Sequence, residues 1–218
     1  MLRLAHRGDW RRAPENSLAA LVAATAVPGC DGVEFDVRLS REGVPVVIHD
    51  ETLARVQHRH ARVDELAATE LAEAGIPALV TVLATLPADA FLDIELKGDD
   101  HGDATAVVLR EGRGAAPTRA VVSSFEAPTL AQMADLLPDW PRWLNATDLD
   151  RATVSLAVGL GCRGLSVLWG AITPAAARTA QAVGLEVAAW TVTRRPTFER
   201  LARLGVVAAC VEGAALDG

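Results

Sequence analysis

The sequence predicts an α/β fold, a small (β/α)8 TIM barrel with a β-hairpin after its second strand, as one domain over residues 1–218. Three observations predict it. Short apolar runs rich in β-branched residues alternate with Ala/Leu-rich helical patterns along the 218 residues, the signature of parallel strands covered by helices. Nine strand-like runs suit a closed barrel better than a small open sheet, and the length lies near the lower limit for that barrel, about 200 residues. The G-x-G-x-x-G turn expected after the first strand of an open nucleotide-binding sheet is absent.

The elements follow in order. "LRLAH" (2–6) is the first strand. Leu18, Leu21, Val22 and Thr25 then recur at helical spacing, with Asn16 as the expected N-cap. "GVEFDVRL" (32–39) and "VPVVIHD" (44–50) are strand-like, and the short "REG" between them leaves no room for a helix. A brief Gly-containing link of this kind reads as a hairpin. With Glu42 and Gly43 at the turn, paired residue numbers sum to 85. Asp36 then faces His49, and Glu34 shares that face because strand side chains repeat every two residues. In "FLDIELK" (91–97), Leu92, Ile94 and Leu96 share one face, which leaves Asp93, Glu95 and Lys97 on the other. "RAVVSSF", "RWLNA", "GLSVLW", "LEVAAWTV" and "VVAACVE" complete the strands. Among the intervening helices, "TPAAARTAQAVG" carries Thr173 as cap, Pro174 at the first helical position and Gly184 just past the end.

Composition narrows the function. The formal charge is −7, which argues against sequence-independent nucleic-acid binding and against anionic lipid surfaces. An anionic substrate would therefore need a metal ion or a local cluster of cations. Cys30, Cys162 and Cys210 are odd in number, widely spaced and set in apolar segments, as buried free thiols of a reducing compartment would be. Arg3, His6 and Arg7 interrupt any signal-peptide core, and no run approaches the ~18 apolar residues of a membrane span. The expectation is a cytoplasmic protein without a nucleic-acid partner or stable membrane association; oligomeric state leaves no signal.

The chemistry gathers at strand ends. In a barrel the inward faces of the strands fill the lumen, and catalytic groups sit at their C-terminal ends. Glu34, Asp36 and Glu95 would all point inward, and three bare buried carboxylates would be prohibitive without protons or a cation. All-oxygen ligation favours a hard divalent ion, Mg²⁺ or Ca²⁺, over zinc; the competing reading is a structural ion-pair network with Arg7, Arg38 and Lys97. His6 and His49, each followed by a charged residue beside that cluster, can take and give protons near neutral pH. His58, His60 and His101 lie in polar stretches and are expected at the surface.

The ordered set "HRG", "PENSLAAL", "GVEFDVRLSREGVPVVIHDETLAR", "IELKG", "SSF" and "AAWTV" resembles the glycerophosphodiester phosphodiesterase family. The resemblance implies a phospholipase-C-like barrel that hydrolyses glycerophosphodiesters to glycerol 3-phosphate and an alcohol. It implies a divalent ion on Glu34, Asp36 and Glu95, catalysis by His6 and His49, phosphate contacts from Arg7 and Lys97, and Trp190 near the mouth. "VQHRHAR" replaces a Thr/Gly-rich turn of the family, and Glu212 stands near an expected Thr-Asp pair. These departures bear on head-group choice and on the shape of the site mouth. Two other readings share the residues: a lysophospholipase-D-like or phosphoinositide-cleaving lipid enzyme, and a barrel that binds phosphodiesters without turnover.

Overall fold

The structure is a computed structural model that describes residues 1–98 and 101–217. Nine strands are present among them: β1 (Leu2–His6), β2 (Gly32–Leu39), β3 (Pro45–Val47), β4 (Phe91–Leu96), β5 (Ala120–Ser124), β6 (Arg142–Ala146), β7 (Gly164–Leu168), β8 (Glu186–Val192) and β9 (Ala208–Val211). Eight form a closed parallel ring in the order β1-β2-β4-β5-β6-β7-β8-β9, with β9 returning to β1. The extra strand, β3, lies outside the ring, antiparallel to β2. The helices on the outside are α1 (Leu18–Thr25), α2 (Ala68–Glu73), α3 (Leu79–Thr85), α4 (Gly102–Arg113), α5 (Ala127–Leu136), α6 (Arg151–Gly159), α7 (Pro174–Ala182) and α8 (Arg195–Arg203). None of the helices is long and apolar enough to cross a membrane, among the described residues.

Alternation along the strands sorts the side chains. Val33, Phe35 and Val37 of β2 and Leu92, Ile94 and Leu96 of β4 join the main core between ring and helices. Their neighbours in sequence, Glu34, Asp36, Asp93 and Glu95, are turned to the lumen and are also buried. Leu4, Val121, Trp143, Ala188 and Ala208 fill the lower lumen. A satellite core of Val46, Ile48, Leu53, Val63, Leu71 and Ile76 packs beneath the hairpin and α2. All three cysteines are free; Cys162 and Cys210 are buried and Cys30 is half-buried.

Three expectations need correction. The hairpin pairs Val37 with Val47, Arg38 with Val46 and Leu39 with Pro45, so partners sum to 84 rather than 85. The cause is a three-residue loop, Arg41-Glu42-Gly43, in which Gly43 adopts φ +78° and its N–H donates to Ser40 O at 2.9 Å. Asp36 therefore faces Ile48, whose N–H donates to Asp36 O at 2.9 Å. A one-residue slip exchanges the two faces of a strand, and His49 reaches the lumen mouth only because β3 ends at Val47. Second, Asn16 is not the cap of α1. Ser17 is, accepting from Ala20 N at 3.2 Å, while Asn16 sits at φ +58° with its amide turned inward. Third, His101 is buried rather than exposed: it is the N-cap residue of α4, with Nε2 2.9 Å from Lys97 O. Its polar sequence neighbourhood did not reveal that a helix start packs against the barrel rim.

Candidate active site

Strand register assembles the site. Cα pairing sets His6 beside Glu34, Glu34 beside Asp93, and Asp36 beside Glu95. Oxygens of Glu34, Asp36 and Glu95 all lie within 4.8 Å of one another. A cavity of about 210 Å³ opens over them, lined by His6, Arg7, Glu34, His49, Glu95, Lys97 and Trp190 among others. Asp36 lies behind this surface, fully buried. Asp36 Oδ2 accepts from Asn16 Nδ2 at 2.8 Å and lies 3.1 Å from Arg7 Nε, and its Oδ1 lies 3.1 Å from Lys97 Nζ. Lys97 also ion-pairs with Glu95.

Backbone strain is concentrated here. Arg7 and Asn16 both sit in the left-handed region, at φ +60° and +58°, which costs about 1–3 kcal/mol for a non-glycine residue. Gly8 follows at φ +83°, and a Cβ there would stand 2.5 Å from the backbone of Ala20, so only glycine lets the β1–α1 loop pack on the start of α1. This turn aims Arg7 and Asn16 together at Asp36.

Each histidine is held the same way. His6 Nδ1 lies 2.5 Å from Glu212 Oε1, at the end of β9, and His49 Nδ1 lies 2.6 Å from Asp50 Oδ1. A carboxylate on Nδ1 fixes ring orientation and tautomer and leaves Nε2 for the cavity; His6 Nε2 is 3.8 Å from Glu34 Oε2. Arg38 Nε anchors the carbonyl of His49 at 2.7 Å. Arg55 binds Asp50 (2.7 Å) and Glu15 (2.6 Å), and Glu15 accepts from Arg7 Nη1 at 2.8 Å, so an unbroken chain of ion pairs links Arg7 to His49.

The electrostatics match this geometry. Burial, reinforced by Asp36 and Glu95, pushes the Glu34 carboxyl well above the usual carboxylate range. Burial also opposes ionisation of Asp36, but Lys97 and Arg7 outweigh it and hold that carboxyl low. Glu95 is raised by burial and by Asp36. Asp93, deeper in the lumen, is pushed by burial up to about 7 despite the hydroxyl of Ser123 donating to it at 2.6 Å. Burial lowers His49, against the opposing pull of Asp36 and Asp50. Hydrogen bonds from Arg55 bring Asp50 down to about 2.

The cluster fits a hard cation. Three carboxylates converge against two cationic side chains, and Glu34 Oε1 is buried without a hydrogen-bond partner. No sulfur or imidazole belongs to the triad, which disfavours zinc. The opposite wall offers Phe125 and Trp190, edge to face at 5.5 Å, and the unpartnered amide oxygen of Asn145. Trp190 is anchored by its indole N–H, which donates to Ser166 O at 2.9 Å. Sequence reasoning missed Asn16, Asp50, Arg55, Phe125 and Asn145 as site residues and met Glu212 only as a departure. Asn145 stood at a strand end, where a polar side chain marks a barrel site; Glu212 carried no local signal.

The chain matches the model of the "Glycerophosphoryl diester phosphodiesterase family" over residues 6–214. Among curated relatives it is similar to a "Glycerophosphodiester phosphodiesterase" of Caldanaerobacter subterraneus, 28% identical with 93% of this chain and 90% of that protein covered. A "Probable glycerophosphodiester phosphodiesterase 2" of Mycobacterium tuberculosis is 30% identical, with 93% and 84% covered. Among solved structures, an Oleispira antarctica phosphodiesterase in complex with the product sn-glycerol-3-phosphate superposes with a TM-score of 0.87 at 26% identity, covering 100% of this chain and 95% of that one.

Proposed function

The chain belongs to the glycerophosphoryl diester phosphodiesterase family, and on that premise we propose that it hydrolyses glycerophosphodiesters to glycerol 3-phosphate and an alcohol, by metal-dependent, two-histidine catalysis. The observation that carries this reading is the convergence of three buried carboxylates with two carboxylate-held imidazoles on one cavity at the barrel mouth. The product-bound Oleispira phosphodiesterase supports glycerol 3-phosphate as the moiety retained.

Glu34, Asp36 and Glu95 would hold a hard divalent ion, Mg²⁺ or Ca²⁺, which would supply Lewis-acid polarisation of a phosphoryl oxygen. Arg7 and Lys97, at the cavity rim, neutralise the remaining phosphate charge. His6 and His49 present Nε2 to the cavity, one taking the proton of the attacking oxygen and the other giving one to the departing alkoxide. Each such proton transfer is typically worth ~10²–10⁴ in rate. Phe125 and Trp190 pack the carbon face of the glycerol, and Asn145 Oδ1 accepts from one of its hydroxyls. The test is release of glycerol 3-phosphate from glycerophosphocholine, glycerophosphoglycerol or glycerophosphoinositol in the presence of added Mg²⁺ or Ca²⁺. No release with either ion, or undiminished release in excess chelator, overturns the reading.

A further inference from the structure

The cavity over the carboxylates is small, about 210 Å³, against the roughly 300–1,000 Å³ of pockets that enclose a whole drug-sized ligand. That volume suits the phosphoglycerol half of a diester, so the second alcohol would have to lie elsewhere. Two clefts adjoin it. One meets it at Lys97, whose ammonium is taken up by Asp36 and Glu95. The other, about 440 Å³, lies between the β1–α1 loop and the segment after β3, and among the described residues His49 alone lines both it and the cavity. A departing alkoxide needs a proton where it leaves, and only the second cleft has an imidazole at the junction.

We propose that this cleft is the subsite for the departing alcohol, and that it selects neutral, hydroxyl-bearing alcohols such as polyols and sugars over quaternary ammonium alcohols. The inference rests on the phosphodiesterase reading above and deepens it. The chemistry of the walls decides the class. No Phe, Trp or Tyr lines the cleft among the described residues, so it lacks the cage that holds a quaternary ammonium. Two of its three carboxylates, Glu15 and Asp50, are already committed to Arg7, Arg55 and His49, and the third, the exposed Glu73, shares the cleft with the cationic Arg59. Gln57 Oε1, in contrast, is buried with no partner. A buried acceptor left bare is costly, and a hydroxyl donor relieves it. Pro14, Val56 and Ile76 supply an aliphatic wall for the carbon face of a ring or chain. In this arrangement His49 is the acid and His6 stands on the side of attack.

The experiment compares kcat/KM for glycerophosphoinositol, glycerophosphoglycerol and glycerophosphocholine in added Mg²⁺, with glycerol 3-phosphate as readout. The polyol diesters are expected to exceed the choline diester by about tenfold, the worth of one well-placed hydrogen bond. In Gln57→Leu the polyol-to-choline ratio is expected to fall by about the same factor. Product competition on the unaltered enzyme gives a second readout that no folding defect can obscure: free inositol should inhibit at lower concentration than free choline. Equal use of all three diesters, a preference for choline, or an unchanged ratio in Gln57→Leu overturns the subsite while leaving the phosphodiesterase reading intact. Failure to cleave any of the three overturns that reading and the subsite with it.

Discussion

Replacing Glu212 with glutamine isolates one contact. Glu212 Oε1 lies 2.5 Å from His6 Nδ1 and does not line the cavity, so its influence on substrate runs through the imidazole. Glutamine keeps the size of the side chain and removes the charge. Hydrogen bonds to charged groups contribute about 1.5–3 kcal/mol net, and each 1.4 kcal/mol in a barrier is tenfold in rate. The Glu212 side chain keeps 24% of its surface exposed, which screens the interaction and favours the lower end of that range. The expected result is a fall of about tenfold in kcat with KM little changed. The assay is steady-state release of glycerol 3-phosphate at saturating metal, with circular dichroism to show that the fold persists. A second arm places Glu212→Gln in a His6→Ala background, where no further loss is expected because residues acting as a unit are non-additive. Full kcat in the single variant would show that His6 is oriented by something else. A rise in KM at constant kcat would make Glu212 a substrate contact, and additive losses in the double variant would sever the pair.

Other outcomes follow from the same geometry. His6→Ala and His49→Ala should each lose ~10² or more in kcat with unchanged circular dichroism; near-normal turnover in either would remove that residue from proton transfer. Glu34→Ala should raise the metal concentration needed for half-maximal activity as well as lower the rate, and a titration curve superimposable on that of the parent protein would exclude Glu34 from the ligand set. Asp93 gives a pH test. With its carboxyl raised to about 7, the folded chain binds more protons than the unfolded one between about pH 4 and 7, so its contribution to stability is present below that window and lost as pH rises through it. Asp93→Asn cannot ionise and should gain on the parent protein, by on the order of a few kcal/mol, between pH 4 and 8 in urea melts with chelator present; parallel pH profiles would contradict the assignment.

Much of this molecule is readable locally. A period of two along "GVEFDVRL" and "FLDIELK" already separates Val33, Phe35 and Val37 from Glu34 and Asp36, and Leu92, Ile94 and Leu96 from Asp93 and Glu95. The main core takes the first sets and the lumen the second. The same alternation, with helices between strands, was enough to anticipate a closed ring and to place His6, Arg7 and Lys97 near its mouth; Trp190 was placed there only by the family resemblance. Where a decision depended on one residue of turn geometry it went astray: the left-handed Gly43 shifted the hairpin by one, and His49 reached the cavity by leaving the ladder.

By itself, then, the sequence determined which side chains face the lumen, because strand periodicity is set by neighbours in the chain. Only the tertiary structure decided who holds them. Glu212 meets His6 across 206 residues, Asn16 turns from a presumed cap into a ligand of Asp36, and Gln57 is left with a bare oxygen beside a cleft. Those pairings arise from ring closure and interstrand register, which depend on packing the whole barrel at once and leave no periodic trace in any one segment.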